Sequence, residues 1–84
     1  MHDVLLERSA ERDPRALPRQ DLDCVVDHIR ALARDPRPPG SRKITGSQSD
    51  WRIRVGSYRI IYEVDDAERC VGVMRVRHRD RAYR

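Results

Sequence analysis

Apolar residues recur every three or four positions between Leu22 and Ala33, and every second position after Trp51. These two periods divide the chain. Leu22, Val25, Val26, Ile29, Leu32 and Ala33 share one stripe, while Asp21, Asp23, Asp27, Arg30 and Arg34 fill the positions between. The spacing predicts an amphipathic helix from about Arg19 to Arg34 with one core-facing side. His28 borders the stripe and reads as a boundary residue, since no second candidate ligand stands a turn away.

Trp51–Val55 alternates apolar and basic residues, as a half-buried strand does. Gly56-Ser57 suits a two-residue hairpin turn with glycine first. Tyr58–Val64, rich in β-branched and aromatic residues, is the returning strand; 65–69 is a polar turn, and Cys70–Arg77 is the last strand. Upstream, His2–Glu7 reads as a short strand. A first helix follows, either capped by Ser9 and kinked at Pro14, or capped by Asp13 with Pro14 as its first residue. Pro18 stops it in both cases. Asp35-Pro36-Arg37-Pro38-Pro39-Gly40-Ser41 makes a stiff loop. The expected fold is α+β: an N-terminal strand and two helices packed on one face of an antiparallel sheet of three to four strands, in a single domain spanning 1–84.

Composition narrows this picture. The chain has 84 residues, 38% hydrophobic and 38% charged. A chain near this length buries only about 60% of the surface its unfolded form exposes. A modest core and a charged surface, completed by a partner, are therefore expected. Cys24 and Cys70 fall in apolar-periodic segments far apart, without metal-ligand spacing, and read as buried reduced thiols. No run approaches the length of a membrane span, and the acidic, short start is no signal peptide, so the protein reads as cytoplasmic. No cofactor or metal site is expected.

Charge is unevenly placed. Residues 1–50 carry nine basic and nine acidic residues, so the whole net charge of +4 sits in 51–84. A local basic excess favours polyanions. Strict alternation puts Arg52 and Arg54 on one sheet face, Arg59, Ile61 and Glu63 in one row of the next strand, and Val71, Val73, Arg75 and Arg77 in one row of the last. Arginines from three strands then form a phosphate-binding face opposite the helices. The ending, Arg75 to Arg84, adds Arg77, His78, Arg79, Arg81 and Tyr83; a tyrosine beside arginines suits base stacking on single-stranded RNA.

The stretch from Trp51 to Asp66, the preceding Asp35–Gly40 with Lys43-Ile44-Thr45-Gly46, and the ending Arg75–Arg79 with Tyr83 resemble the RelE branch of the RelE/ParE toxin superfamily. The resemblance spans nearly the whole chain and is strongest from Asp35 onward. It implies a RelE-like microbial RNase fold and the toxin of a type II toxin–antitoxin system. The implied activity is a ribosome-dependent endoribonuclease (mRNA interferase) that cuts mRNA in the A site by attack of the RNA's own 2′-hydroxyl. By position, Arg52 and Arg54 match the basic pair of the family's first active-site strand, Arg59 its transition-state arginine, Arg79 the late catalytic arginine, and Tyr83 the tyrosine that orients or stacks on substrate. Lys43, Arg75, Arg77 and Arg81 are expected RNA contacts.

Some members carry lysines where this chain has Arg52 and Arg54. Arginine is no useful base, so those two are expected to hold phosphate, and His78 becomes the candidate general acid or base, with a plain RNA contact as its other reading. The resemblance also implies partners: an acidic, partly disordered antitoxin, RelB-like or Phd-like; the 70S ribosome and mRNA; operator DNA only through the antitoxin complex; and no membrane. The segment Ala10–Arg34 and an exposed sheet edge are candidate antitoxin contacts. Two other readings stand beside this one: a ParE-like toxin that poisons DNA gyrase, and an inactive member that only binds antitoxin.

Overall fold

A computed structural model describes residues 1–78. The strands are β1 (Asp3–Leu6), β2 (Arg42–Lys43), β3 (Asp50–Val55), β4 (Tyr58–Asp65) and β5 (Cys70–His78), with one α-helix, α1 (Arg19–Ala31). They form one sheet in the order β1-β5-β4-β3-β2. The sheet has five strands and is mixed, larger than the antiparallel three to four expected. The short β2 pairs with β3, and β1 lies parallel to β5. The parallel pair follows from topology. The chain leaves β1, crosses the sheet through α1, and returns as the meander β2–β5, which brings β5 back beside its starting strand.

Only one of the two expected helices forms. Arg8–Ala10 and Asp13–Ala16 are separate 3-10 turns. Prolines at 14 and 18 withhold the backbone donors that a continuous helix there would need. The α1 ladder opens with Leu22 N–H on the Pro18 carbonyl at 2.8 Å. It ends earlier than expected because Leu32, Ala33 and Arg34 bond three residues back rather than four.

One sheet face meets α1 and holds the core. Tyr62, Leu32, Ile60, Val25, Val71 and Val73 are fully buried, with Trp51, Tyr58, Ile29 and Leu17 packed around them. Gly56, in the left-handed conformation at φ +58°, makes the two-residue turn between β3 and β4. Of the two cysteines, Cys24 is exposed and Cys70 half-buried, both free. The expectation that both were buried fails at Cys24, which falls beside the core stripe of α1 rather than on it, and is met only in part at Cys70. Among the described residues no helix is long and apolar enough to cross a membrane.

Candidate nucleic-acid interface

The sheet face away from α1 is open. Residues paired across neighbouring strands point to the same side, and the pairings therefore fix its contents. Arg42 faces Arg52 across β2 and β3. Arg54 faces Arg59, and Arg59 faces Arg77 across β4 and β5. Like charges placed directly opposite disfavour strand pairing unless an anion offsets them. Three such pairs share this face. Around them lies a concavity of about 390 Å³ lined by Gly40, Arg42, Arg52, Ile53, Arg54 and Arg59. Arg52 and Arg54 are exposed, whereas Arg59 is only 9% exposed and lies at its floor.

Strict alternation misplaces one strand. Ile61 pairs with Arg75, but Tyr62 pairs with Val73, so Met74 is an extra residue in β5. This β-bulge changes the parity. Val71 and Val73 face the core with Tyr62 and Val64, whereas Arg75 and Arg77 face outward with Ile61 and Arg59. The expected single row of Val71, Val73, Arg75 and Arg77 therefore splits in two.

The structure brings together Arg52, Arg54, Arg59 and Arg77 of the residues named from the sequence. Arg75 shares their face, but its guanidinium bonds to Asp13 at the rim, with Nε 2.9 Å from Oδ2 and Nη2 3.2 Å from Oδ1. Lys43 pairs with Trp51 and therefore belongs to the other face. His78 also faces away from the arginines. It pairs with Tyr58 and meets that ring edge-on, with centroids 5.5 Å apart. Tyr58 Oη in turn donates to Asp21 of α1 at 3.1 Å. Burial, reinforced by Asp21, raises the Tyr58 pKa above its ordinary value. Arg79, Arg81 and Tyr83 lie outside the described residues.

Arg42 and Gly40 were not found from the sequence. Their segment reads as the end of a Pro-rich loop, and two residues are too few for an alternation signal. The loop is fixed from beneath. Tyr62 Oη donates to the Pro36 carbonyl at 2.7 Å. Arg37 stacks over Trp51 at 5.2 Å and donates to both oxygens of Asp66, at 3.3 and 2.8 Å. His2 also reaches Asp66, at 3.2 Å. Arg37 first and His2 second hold the Asp66 carboxyl below its usual range. These contacts seat the loop so that Gly40 and Arg42 close one side of the concavity.

The opposite end of the open face is acidic. Glu63 pairs with Asp50 and with Gly72, and the Glu7 side chain lies across Gly72. A Cβ on Gly72 would stand 2.7 Å from Glu7 Oε2 and 3.2 Å from Glu63 Oε1, so the glycine makes room for both carboxyls. Burial first, then the Glu63 hydrogen bond and the charges of Glu63 and Asp50, push the Glu7 pKa up. Among the described residues Glu7 Oε2 is buried without a donor. Two carboxyls can bond only by sharing a proton. The face is thus polarised, attracting phosphate at one end and repelling it at the other. Among the described residues no three His, Cys, Asp or Glu side chains group so as to hold a metal ion.

Residues 4–83 match the family described as ParE toxin of type II toxin–antitoxin system, parDE. The chain belongs to that family. Toxin RelG of Mycobacterium tuberculosis is 35% identical over 85 residues, covering 96% of this chain and 94% of that protein. Among solved structures, the RelBE2 toxin–antitoxin complex of the same organism has a chain with a TM-score of 0.82 at 30% identity, covering 93% of this chain and 98% of that one. The RelE–RelB complex of Pyrococcus horikoshii gives 0.83 at 21% identity, covering 95% and 97%; this likeness concerns the fold alone. The protein is thus a type II toxin of the RelE/ParE superfamily, with its α+β fold. For such a toxin the polarised open face is the candidate working surface.

Proposed function

We propose that this toxin is a ribosome-dependent endoribonuclease that cleaves mRNA, with Arg42, Arg52, Arg54, Arg59 and Arg77 holding the backbone at the scissile phosphate. The observation that carries this reading is the set of like-charged arginine pairs on one open face. Guanidinium groups gathered on one face raise its positive potential and favour binding of a phosphate there. The guanidinium groups bind phosphate oxygens in pairs of hydrogen bonds and stabilise the extra charge of a pentavalent phosphorus during 2′-hydroxyl attack. They supply no base, so the 2′-hydroxyl proton passes to water as the 2′,3′-cyclic phosphate forms, the P–O5′ bond breaks and the departing 5′-oxygen takes a proton from water. Holding the RNA in line for attack is the ribosome's part, and that positioning offsets much of the barrier. His78 has no role in this scheme, because its strand turns it toward Tyr58. Arg79 and Tyr83 keep the late catalytic and stacking roles their positions imply, with Arg81 a further RNA contact.

A cognate antitoxin is the second partner. Two of the similar chains of known structure come from a RelBE2 toxin–antitoxin complex and a RelE–RelB complex, which supports an acidic, partly disordered segment covering this protein. The toxin would act in the cytoplasm, where ribosomes translate. Primer extension on translated mRNA, with and without ribosomes, tests the reading. Cuts are expected only with ribosomes and are expected to vanish with Arg54→Ala. Equal cutting of naked RNA, or none in either case, overturns it. The ParE description of the matched family favours one rival, a toxin that poisons gyrase by binding. Inhibition of gyrase supercoiling by the purified protein, without mRNA cleavage, would establish that rival instead.

A further inference from the structure

The outer edge of β5 loses its neighbour where β1 ends. β1 pairs with β5 only as far as Val73. Past that point side chains from the 3-10 turns take over. Ser9 Oγ donates to the carbonyl of Met74, the bulged residue, at 2.7 Å. Asp13 takes the next donor: its Oδ2 accepts from Val76 N–H at 2.8 Å and from Arg75 Nε at 2.9 Å, while Oδ1 accepts from Arg75 Nη2 at 3.2 Å. The Asp13 side chain is only 13% exposed, against 36% for Arg75. A half-buried fork-to-carboxylate pair of this kind belongs to the stronger class of hydrogen bonds.

Arg75 stands in register with Ile61 and Arg52, on the same open face as the phosphate-binding arginines. We propose that Asp13 is a positioning residue of the basic face: one carboxylate pins β5 at its bulge through Val76 and ties the Arg75 guanidinium to the rim, withholding it from phosphate. The proposal rests on the reading of this face as an RNA surface. Asp13 lowers the number of free cations on the face while fixing the strand that carries Arg77. It limits salt-sensitive affinity for any polyanion and leaves phosphate binding to the arginines of the concavity.

The experiment measures binding of a short single-stranded oligouridine to the full chain by fluorescence anisotropy across a salt series. Wild type, Arg54→Ala, Asp13→Asn, Arg75→Met and Asp13→Asn/Arg75→Met are compared. Asparagine keeps an acceptor for Val76 N–H but gives up the charge that holds Arg75. Asp13→Asn is expected to bind more tightly at low salt, with a salt dependence steeper by about 0.7, one added phosphate contact on a single strand. The double variant is expected to return to the wild-type slope, and Arg75→Met alone to leave it unchanged. An unchanged slope in Asp13→Asn, even with a lowered melting temperature, overturns the proposal, because a merely structural aspartate would move stability alone. So does a shallower slope in Arg75→Met, a result that stands even where Asp13→Asn fails to fold. Should Arg54→Ala bind as wild type does, the RNA reading itself falls, and this proposal with it.

Discussion

Replacing Glu7 by glutamine is expected to stabilise the protein near neutral pH and to change little in acid. Glu7 and Glu63 converge over Gly72, and Glu7 Oε2 is buried without a donor among the described residues. At neutral pH the two carboxyls, with Asp50 beside them, repel unless a proton is held between them. A raised carboxyl pKa in the folded state means that folding takes up a proton. The associated stability is fully present below the unfolded value of about 4.5 and is lost as pH rises through the higher folded one. Glutamine supplies a permanent N–H at the same place and no charge. A new hydrogen bond to a carboxylate in a partly buried setting contributes about 1 kcal/mol, which for a domain of this size is roughly 4–8 °C in Tm. Thermal melts followed by circular dichroism at about pH 7.5 and pH 4.5 give the comparison. The gain should appear at the higher pH and shrink at the lower, where wild type already holds its shared proton. An equal shift at both pH values, or a loss at pH 7.5, would refute the shared-proton argument.

Three other substitutions test separate links. Arg54→Ala should weaken RNA binding about equally across sequences and make its salt dependence shallower by roughly one phosphate contact, as filter binding at several salt concentrations would report. Tyr62→Phe leaves the Pro36 carbonyl without its donor, so a destabilisation of about 1 kcal/mol is expected in urea unfolding, and an unchanged midpoint would mean that the bond does not anchor the loop. Ile60→Val removes one methylene from a fully buried site, with an expected loss of about 0.5–1.5 kcal/mol in the same assay; no loss would mean that the core around Ile60 closes up freely.

The helix α1 and the hairpin β3–β4 were legible in the sequence because each rests on a local pattern: a stripe repeated over three turns, and alternation on both sides of a glycine that must take positive φ. The arginines of β3 and β4 came with them. What escaped depended on contacts remote in sequence. Arg42–Lys43 becomes a strand only because β3 lies beside it, and its pairing with Arg52 and Trp51 selects Arg42 for the open face and Lys43 for the other. The bulge at Met74 is fixed where Ser9 and Asp13 reach the edge of β5, more than sixty residues along the chain. A one-residue slip there moves every later side chain to the other face. For that reason Val71 and Val73 part from Arg75 and Arg77, and His78 turns toward Tyr58. The first helix fails for a local reason: Pro14 and Pro18 remove two backbone donors within five residues, which leaves room only for 3-10 turns.

The pairing of the first strand with the last sets the order in which this toxin becomes complete. Val71, Val73 and Val76 from β5 close the core, and Arg77 extends the row of cations, yet β5 follows every other described strand along the chain and must slot between β1 and β4. Contacts of such long sequence separation form slowly. A chain that stops short of β5 therefore carries most of these arginines without the strand that arranges them into one surface. A chain stopped after Asp65 should show no cooperative melting and bind oligouridine only weakly; a folded, tightly binding fragment would show that the final strand is dispensable.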